Sequence, residues 1–265
     1  MKETNTKIKN FIINVTKEIG KYQLDNFSYT KKLKGKAKSK YFSDVLTKVD
    51  KISEKILIQK AKKIGFKGKI LAEEMGKINL GNSNQRLIID PLDGSYFYSR
   101  GIPNFCVAIA LEENDKIIYA TVYNPITKEL FFAEKGKGAF LNGKKIKVSK
   151  TKDLIKSTII LSAYPHYEIG TIEKIFTRLM NSVGLTLLLH LVNMNLCYIA
   201  DGKYDGIIGY YSILPEWDKL PGVFILEEAG GLITDINGKK WNKSTTKFIA
   251  SNKILHKNLL TFCND

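Results

Sequence analysis

Two carboxylates follow a short apolar run in residues 86–95, which read "RLIIDPLDGS". Asp90 and Asp93 lie three positions apart, with a proline between them and a glycine directly after. An unpaired carboxylate near a protein core is costly to desolvate, so this pair requires a counter-charge. A turn through Pro91 would let the carboxylates converge and would leave the Leu92 carbonyl available as a further oxygen ligand.

More acidic residues stand at the predicted ends of strands or starts of helices. Glu73 and Glu74 lie in "LAEEMG", Asp218 in "PEWDKLPG" and Asp50 in "DVLTKVDKISEK". Oxygen-only ligand sets suit hard cations, above all Mg²⁺, and none of the three histidines has the spacing of a zinc ligand. An isolated "DPLDG" would equally fit a capped turn. Together with the other acidic segments it predicts a pair of magnesium ions.

The residues directly after the second carboxylate predict a phosphate site. Gly94 permits close approach of the backbone to a ligand. Gly94 and Ser95 can open a helix, and the free N–H groups at a helix start bind phosphate. The predicted metal and phosphate sites are therefore adjacent.

Hydrophobic periodicity predicts the elements that must position these residues. Apolar residues at three- and four-residue spacing predict an amphipathic helix over 7–22 and a second one after Ser43. Short β-rich segments predict strands from residue 69 onward, and "LNGKK" at 141–145 predicts an Asn-Gly hairpin.

Strands and helices alternate after residue 152. Helices are predicted at 169–181, 192–201 and 217–229, and a last one begins near Lys253. This pattern is typical of a layered α/β or α+β fold with two sheets. It also predicts two halves. Residues 1–150 would carry most metal ligands, and residues 151–265 would carry Asp218 and the elements that determine substrate specificity.

Length and composition are those of a folded globular protein. The chain has 265 residues, of which 44% are hydrophobic. Its longest apolar runs are far shorter than the stretch of about 20 residues that crosses a bilayer, and its N-terminus has no apolar signal-peptide core. These features predict a cytoplasmic protein. Cys106, Cys197 and Cys263 form no CxxC pair, and we expect them to be structural.

The net charge of +16 predicts an anionic partner, either a phosphorylated small molecule or a nucleic acid. Only three basic residues are Arg, whereas bidentate readout of bases or phosphates favours Arg. The densest basic stretch, "KKLKGKAKSK" at 31–40, fits either a solvated loop or a basic loop that closes over an anionic substrate.

At these motifs the sequence resembles the inositol monophosphatase superfamily of Mg²⁺-dependent, lithium-sensitive phosphatases. The resemblance runs from "SDVLTKVDKISEK" through "LAEE", "IIDPLDGS" and "LCYIADGKYDG" to "EWDKLPGVFILEEAGGLITD". It implies a layered αβαβα sandwich of the sugar-phosphatase type, a homodimer, two or three Mg²⁺ ions and a small phosphorylated substrate.

The resemblance also implies a role for each site residue. Glu73, with Ser95, would position and deprotonate the attacking water, the Gly94 and Ser95 amides would cradle the phosphate, and water near Asp218 would protonate the leaving alcohol. Asp50 would lie near a weaker third metal and would belong to the catalytic set with Glu73 and Ser95. The ligands of the two main metals would be Glu73, Asp90, Leu92 through its carbonyl, Asp93 and Asp218.

The specificity elements depart from the family pattern. The family's small-residue substrate loop aligns with residues 190–193, and a Glu that binds inositol hydroxyls in animal members aligns near Gly209. His190, in "LLLHLV", is interpreted as a core residue, and neither it nor His166 enters the predicted catalytic set.

Three functions remain open on the sequence. The first is hydrolysis of a small polyol or sugar phosphate, with inositol monophosphate and fructose 1,6-bisphosphate as the obvious substrates. The second is a 3′(2′),5′-bisphosphate nucleotidase. The third, from another class, is binding of nucleic acid or of the transcription machinery with a vestigial phosphatase site, which the net charge of +16 favours.

Overall fold

The structure is a computed structural model that describes residues 2–28, 36–37, 45–163 and 168–264. It divides the chain into two units, Met1–Lys135 and Gly136–Asp265. The predicted distribution of metal ligands and specificity elements over residues 1–150 and 151–265 stays a prediction. The basic stretch at 31–40, apart from residues 36–37, and His166 lie outside the described residues.

The first unit begins with a long helix and continues largely as strands. Its elements are α1 (Lys2–Asp25), β1 (Lys36–Ala37), β2 (Val45–Leu46), α2 (Lys48–Lys63), β3 (Lys69–Ala72), β4 (Gly76–Asn79), β5 (Gln85–Asp93), α3 (Ser95–Ser99), β6 (Cys106–Glu113), β7 (Lys116–Asn124) and β8 (Glu129–Glu134).

Helix α1 is longer than the predicted 7–22, and Ile12 and Ile19 of its apolar stripe are fully buried. Helix α2 begins at Lys48 because Thr47 caps it: the Thr47 side chain accepts from the Val49 N–H, and the Asp50 carboxylate accepts from the Thr47 N–H. This reciprocal arrangement is a capping box, which defines where the helix starts.

The main sheet of the first unit has the order β4-β3-β5-β6-β7-β8. Only β3 and β5 run parallel to each other, and the other pairs are antiparallel. Helix α1 packs on β6 and β7, and α2 packs on β5. The sequence did not predict β4, a short strand whose residues alternate between partly buried and exposed and therefore carry little apolar signal.

The second unit alternates between strands and helices, as predicted. Its elements are β9 (Gly138–Leu141), β10 (Lys144–Ile146), a 3-10 turn (Leu154–Lys156), β11 (Thr158–Ala163), α4 (Ile169–Ser182), β12 (Leu185–Leu188), α5 (Val192–Ala200), β13 (Gly206–Tyr210), α6 (Leu220–Glu228), β14 (Leu232–Asp235), β15 (Lys247–Ser251) and α7 (His256–Asn264).

Strands β9 and β10 form the predicted hairpin, with Asn142 and Gly143 both at positive φ, at 49° and 82°. A five-stranded sheet has the order β12-β11-β13-β15-β14, in which β11 runs parallel to both of its neighbours. Apolar side chains from α4 and α7 pack with this sheet in one cluster that includes Ile208 and Leu259.

Three details of the second unit differ from the predictions. Helix α6 begins at Leu220 rather than 217, so Pro221 lies in its first turn, where proline is tolerated. Helix α7 begins at His256, since Lys253 has a φ of 71° that no α-helix allows. His190 is exposed, so its interpretation as a core residue was wrong; it follows β12, which is an edge strand.

Two further predictions concern cysteines and membrane segments. Cys106, Cys197 and Cys263 are free thiols, and the first two are buried. Across the described ranges, no helix has the length and apolar character that a bilayer crossing requires.

Candidate functional site

The parallel pair β3 and β5 brings two predicted ligands to the same edge of the sheet. The last residue pair in register is Ala72 opposite Ile89, so Glu73 begins the turn directly after β3 and Asp90 is the next residue of β5. Adjacent strands lie about 4.8 Å apart, which places these two backbones side by side. Asp90 is almost completely buried.

The segment from Asp90 to Asp93 is an irregular strand rather than the predicted free turn. Asp90 pairs with Ala108 and Asp93 with Cys106, so the register shifts by one residue between them. Pro91 has no N–H for the ladder, which favours such an irregularity on a strand. The Leu92 N–H instead donates to Asp90 Oδ1 at 3.0 Å, which fixes that carboxylate.

Gly94 ends this segment in the left-handed conformation, with a φ of 97°. That conformation favours glycine, and it lets the chain turn directly into the five-residue helix α3. The helix start predicted at Gly94 and Ser95 is therefore present. Binding of phosphate by the two amides stays a prediction.

The Ser95 hydroxyl contacts two other predicted site residues. Its Oγ lies 2.5 Å from Asp50 Oδ1 and 2.8 Å from the Leu92 carbonyl oxygen. The hydroxyl has one proton, and a carboxylate is a stronger acceptor than a carbonyl. Donation to Asp50 leaves the lone pairs of Ser95 Oγ free to accept a hydrogen bond, and leaves the Leu92 carbonyl available to a cation.

Asp50 is held in this position from its other side. It is fully buried, and its Oδ2 accepts from the Thr47 N–H at 2.8 Å and from the Thr47 hydroxyl at 2.5 Å. Sequence reasoning missed Thr47, although the spacing of Thr and Asp around a helix start is a capping signal. The proximity of Asp50 to a third metal stays a prediction.

Glu54 is a second buried acid that sequence reasoning missed. Its carboxylate accepts from the Glu74 N–H at 2.6 Å and the Met75 N–H at 2.9 Å, and so fixes the turn that follows Glu73. Burial raises the pKa of Glu54 to about 7, and the nearby Glu74 and Glu73 charges add to the rise against the opposing backbone hydrogen bonds. Its position four residues after Asp50, on the same face of α2, is the sequence signal that would have found it.

Asp93 has a sulfur neighbour. The buried thiol of Cys106 donates to Asp93 Oδ2 at 3.7 Å, which is within the range of a weak thiol hydrogen bond. Cys106 therefore packs as the expected small apolar residue and also contacts a predicted ligand.

In the second unit, Asp218 lies just before α6, in a segment fixed by two neighbours. The Asn193 side chain donates to the Trp217 carbonyl at 2.9 Å and accepts from the Gly222 N–H at 3.0 Å. The buried Lys219 ammonium donates to the Thr245 carbonyl at 2.8 Å. Burial lowers the pKa of Lys219 to about 8, although the Asp218 and Glu216 charges oppose that shift.

The donor set fits Mg²⁺ by its chemistry, since it consists of carboxylate and carbonyl oxygens and includes no sulfur or nitrogen. Within the residues that the structure describes, no three His, Cys, Asp or Glu side chains form a ready-made metal cluster. The predicted ligands in the first unit are Glu73, Asp90, Leu92 through its carbonyl and Asp93. Asp218, in the second unit, stays a predicted ligand.

Comparison with known proteins finds the family that the sequence motifs resemble, and the match extends along nearly the whole chain. The model of the inositol monophosphatase family matches residues 4–264. A Thermotoga maritima protein named fructose-1,6-bisphosphatase/inositol-1-monophosphatase is 30% identical over 227 residues, 84% of each chain. The Nus factor SuhB of Pasteurella multocida is 32% identical over 200 residues, 74% of this chain and 73% of that protein.

A solved structure has the same fold. The inositol monophosphatase of Thermotoga maritima superposes with a TM-score of 0.84 at 26% sequence identity, and the match covers 96% of each chain. The predicted fold class, an α/β fold of the sugar-phosphatase type, is therefore confirmed. The chain belongs to the inositol monophosphatase family of phosphoric monoester hydrolases.

Proposed function

We propose that the protein is a Mg²⁺-dependent phosphomonoesterase that hydrolyses a small polyol or sugar phosphate, such as inositol monophosphate or fructose 1,6-bisphosphate. The observation that carries the proposal is the contact between Ser95 and Asp50, placed directly beside the Leu92 carbonyl. Similarity to a relative named for both a bisphosphatase and a monophosphatase supports the substrate class.

The chain's own residues account for the binding of the metal and the phosphate. Bound Mg²⁺ would supply positive charge to the phosphoryl oxygens and acidify the attacking water. Its ligands would be Glu73, Asp90, the Leu92 carbonyl, Asp93 and Asp218. The Gly94 and Ser95 amides bind the phosphate oxygens at the start of α3.

Proton movement at the attacking water involves three residues. Ser95 Oγ donates to Asp50 and therefore accepts a hydrogen bond from the water, which aims the water oxygen at phosphorus. Glu73 takes one proton from this water as a general base. In-line attack forms the new P–O bond as the ester P–O bond breaks, the leaving alkoxide takes a proton from water near Asp218, and inorganic phosphate is released.

A phosphate-release screen tests this proposal. The substrates are inositol 1-phosphate, fructose 1,6-bisphosphate and adenosine 3′,5′-bisphosphate, each with and without Mg²⁺. We expect Mg²⁺-dependent release from one of the first two, lost in Asp93→Asn and retained in Asp25→Asn, which makes the same change at an exposed site. Preference for the nucleotide would favour the nucleotidase instead, and no release from any substrate would overturn the proposal.

A second function has support from one relative and from charge. The similarity to a protein named Nus factor SuhB and the net charge of +16 favour association with nucleic acid or the transcription machinery. RNA retention in a magnesium-free gel tests this function. Salt-dependent retention that Asp93→Asn leaves unchanged would support it, and no retention at low salt would exclude RNA binding.

The homodimer and the cytoplasmic location also remain proposals from the resemblance and the sequence. Light scattering of the purified protein tests the first, because a mass near twice 30.0 kDa is expected. A single-chain mass at micromolar concentration would contradict it.

A further inference from the structure

Gln23 connects the last turn of α1 to the segment that carries Asp90 and Asp93. Its side chain is fully buried, and its Nε2 donates to the Pro91 carbonyl at 2.5 Å, across 68 positions of sequence. Its own main-chain carbonyl accepts from the Tyr98 hydroxyl at 2.7 Å. One residue of α1 thus holds both the strand segment before Gly94 and the helix after it.

The hydrogen bond to Pro91 acts on a predicted metal ligand through one peptide group. The Pro91 carbonyl and the Leu92 N–H belong to the same planar peptide and point in opposite directions. Gln23 holds the carbonyl side of this plane, and the N–H side donates to Asp90 Oδ1 at 3.0 Å. Rotation of the peptide would break both hydrogen bonds, so Gln23 fixes the orientation of the Asp90 carboxylate without touching it.

Space filling alone does not explain an amide at this position. Gln23 Oε1 is buried and has no hydrogen-bond partner among the residues that the structure describes. A methionine of similar length would avoid that unpaired oxygen, and the neighbouring cluster of Val49, Leu92, Tyr98 and Phe105 is apolar. The contribution that only the amide makes is its N–H bond to Pro91.

We propose that Gln23 is a positioning residue for the metal ligands of residues 90–93. The inference rests on the proposed function, because it requires that these residues bind Mg²⁺. It predicts that loss of the amide N–H weakens metal binding through the Asp90 carboxylate while it leaves the rest of the fold intact.

Binding of Mn²⁺ alone, measured by calorimetry, tests the inference without an activity assay. In Gln23→Met we expect the dissociation constant for Mn²⁺ to rise about tenfold, as is typical for residues that orient metal ligands. The matched control is Gln59→Met, the same change at an exposed position on α2. The unfolding midpoint of Gln23→Met should stay within about 3 °C of wild type, because the lost hydrogen bond and the removed unpaired oxygen offset each other.

A kinetic measurement separates positioning from general damage. If phosphate release is found, Gln23→Met should raise the Mg²⁺ concentration needed for half-maximal rate, while the rate at saturating Mg²⁺ recovers most of the wild-type value. A fold defect would lower the rate at every Mg²⁺ concentration. If Gln23→Met does not fold, Tyr98→Phe removes the other hydrogen bond to Gln23 at nearly constant volume and should weaken Mn²⁺ binding in the same direction.

The possible outcomes distinguish this inference from the proposed function. Mn²⁺ binding that is equal in wild type, Gln23→Met and Gln59→Met overturns the inference alone. No Mn²⁺ binding by the wild-type protein overturns both. Weaker binding in Gln23→Met with an unchanged unfolding midpoint supports the inference whatever the substrate is.

Discussion

The contact between Ser95 and Asp50 joins two segments that are 45 positions apart in sequence. Ser95 lies two residues after Asp93, in the predicted metal-ligand segment, whereas Asp50 lies in the first turn of α2, where Thr47 orients its second oxygen. The serine hydroxyl is therefore held by a carboxylate that is itself fixed, which is the arrangement that a hydroxyl needs to orient a water molecule.

Substitution of Ser95 tests that role. Ser95→Ala should lower kcat about 100-fold with little change in KM, because the hydroxyl acts on the water rather than on the substrate. Ser95→Thr keeps the hydroxyl and should stay within a few-fold of wild type. Steady-state phosphate release at saturating Mg²⁺ measures both variants. Ser99→Ala, a hydroxyl loss in the same helix, is the control, and an equal loss there would contradict the role.

His256 provides a residue-scale prediction about stability. Its ring is buried, with Thr234 Oγ1 at 2.9 Å from Nε2 and Ser251 Oγ at 2.9 Å from Nδ1. Burial lowers the pKa of His256 to about 4 from its ordinary value of 6.5. Above pH 6.5 the ring is neutral in both states, and as the pH falls towards 4 only the unfolded chain gains the proton. Stability is therefore lost in that window, by about 3 kcal/mol in total.

Urea unfolding over that pH range measures the effect. The comparison protein is His256→Gln, whose side chain at this position does not titrate. Other groups titrate in both proteins, so the difference between the two unfolding curves isolates His256. The difference should change steadily as the pH falls below 6.5, and a constant difference would contradict the prediction.

At the scale of elements, α2 supports the turn after β3 through Glu54. Glu54→Ala leaves the Glu74 and Met75 N–H groups without their acceptor, and should cost about 3 kcal/mol in unfolding free energy. Glu54→Gln retains one acceptor oxygen and should cost less. Urea unfolding measures all three proteins, with Lys55→Ala as an exposed neighbour on the same helix. Equal stability of Glu54→Ala and Lys55→Ala would refute this support.

Helices α5 and α6 approach closely at Gly222. A Cβ there would lie 2.9 Å from both the Asn193 Cα and the Asn193 carbonyl oxygen, which are backbone atoms. Gly222→Ala should therefore destabilise the protein by about 2 kcal/mol. Gly170→Ala, in α4 where a Cβ meets nothing within 4 Å, should stabilise it by about 0.5 kcal/mol. Thermal unfolding of the pair checks the opposite signs, and equal shifts would contradict the close packing.

An element could be predicted from the sequence when contacts between neighbouring residues determine it, and could not when contacts with distant parts of the chain determine it. The hairpin at Asn142 and Gly143 and the helix start at Gly94 and Ser95 were predicted because local backbone chemistry determines them. Strand β4 and the exposed position of His190 were not predicted, because they depend on which strand lies at the edge of a sheet. The irregular strand at Pro91 needed knowledge of its partner β6.

Across the whole molecule, the sequence predicted the candidate ligands but did not predict the residues that hold them in place. Asp90 and Asp93 lie within one short motif, so their spacing shows in the sequence. Gln23, Glu54 and Asn193 act on segments that are between 20 and 68 positions away. The sequence does not show which distant segment each of them holds, because each side chain alone also fits a surface or a core position.

The hydrogen bond between Gln23 and Pro91 has a consequence for the order in which the chain is made. Synthesis produces the first helix before the strand that it holds, so this hydrogen bond can form only after 68 further residues have been added. Trimming of the N-terminus past Gln23 by a protease would leave every carboxylate of the predicted cation site in the chain. Such a shortened protein should nevertheless bind divalent cations poorly, because the peptide between Pro91 and Leu92 would have lost its hydrogen bond to Gln23.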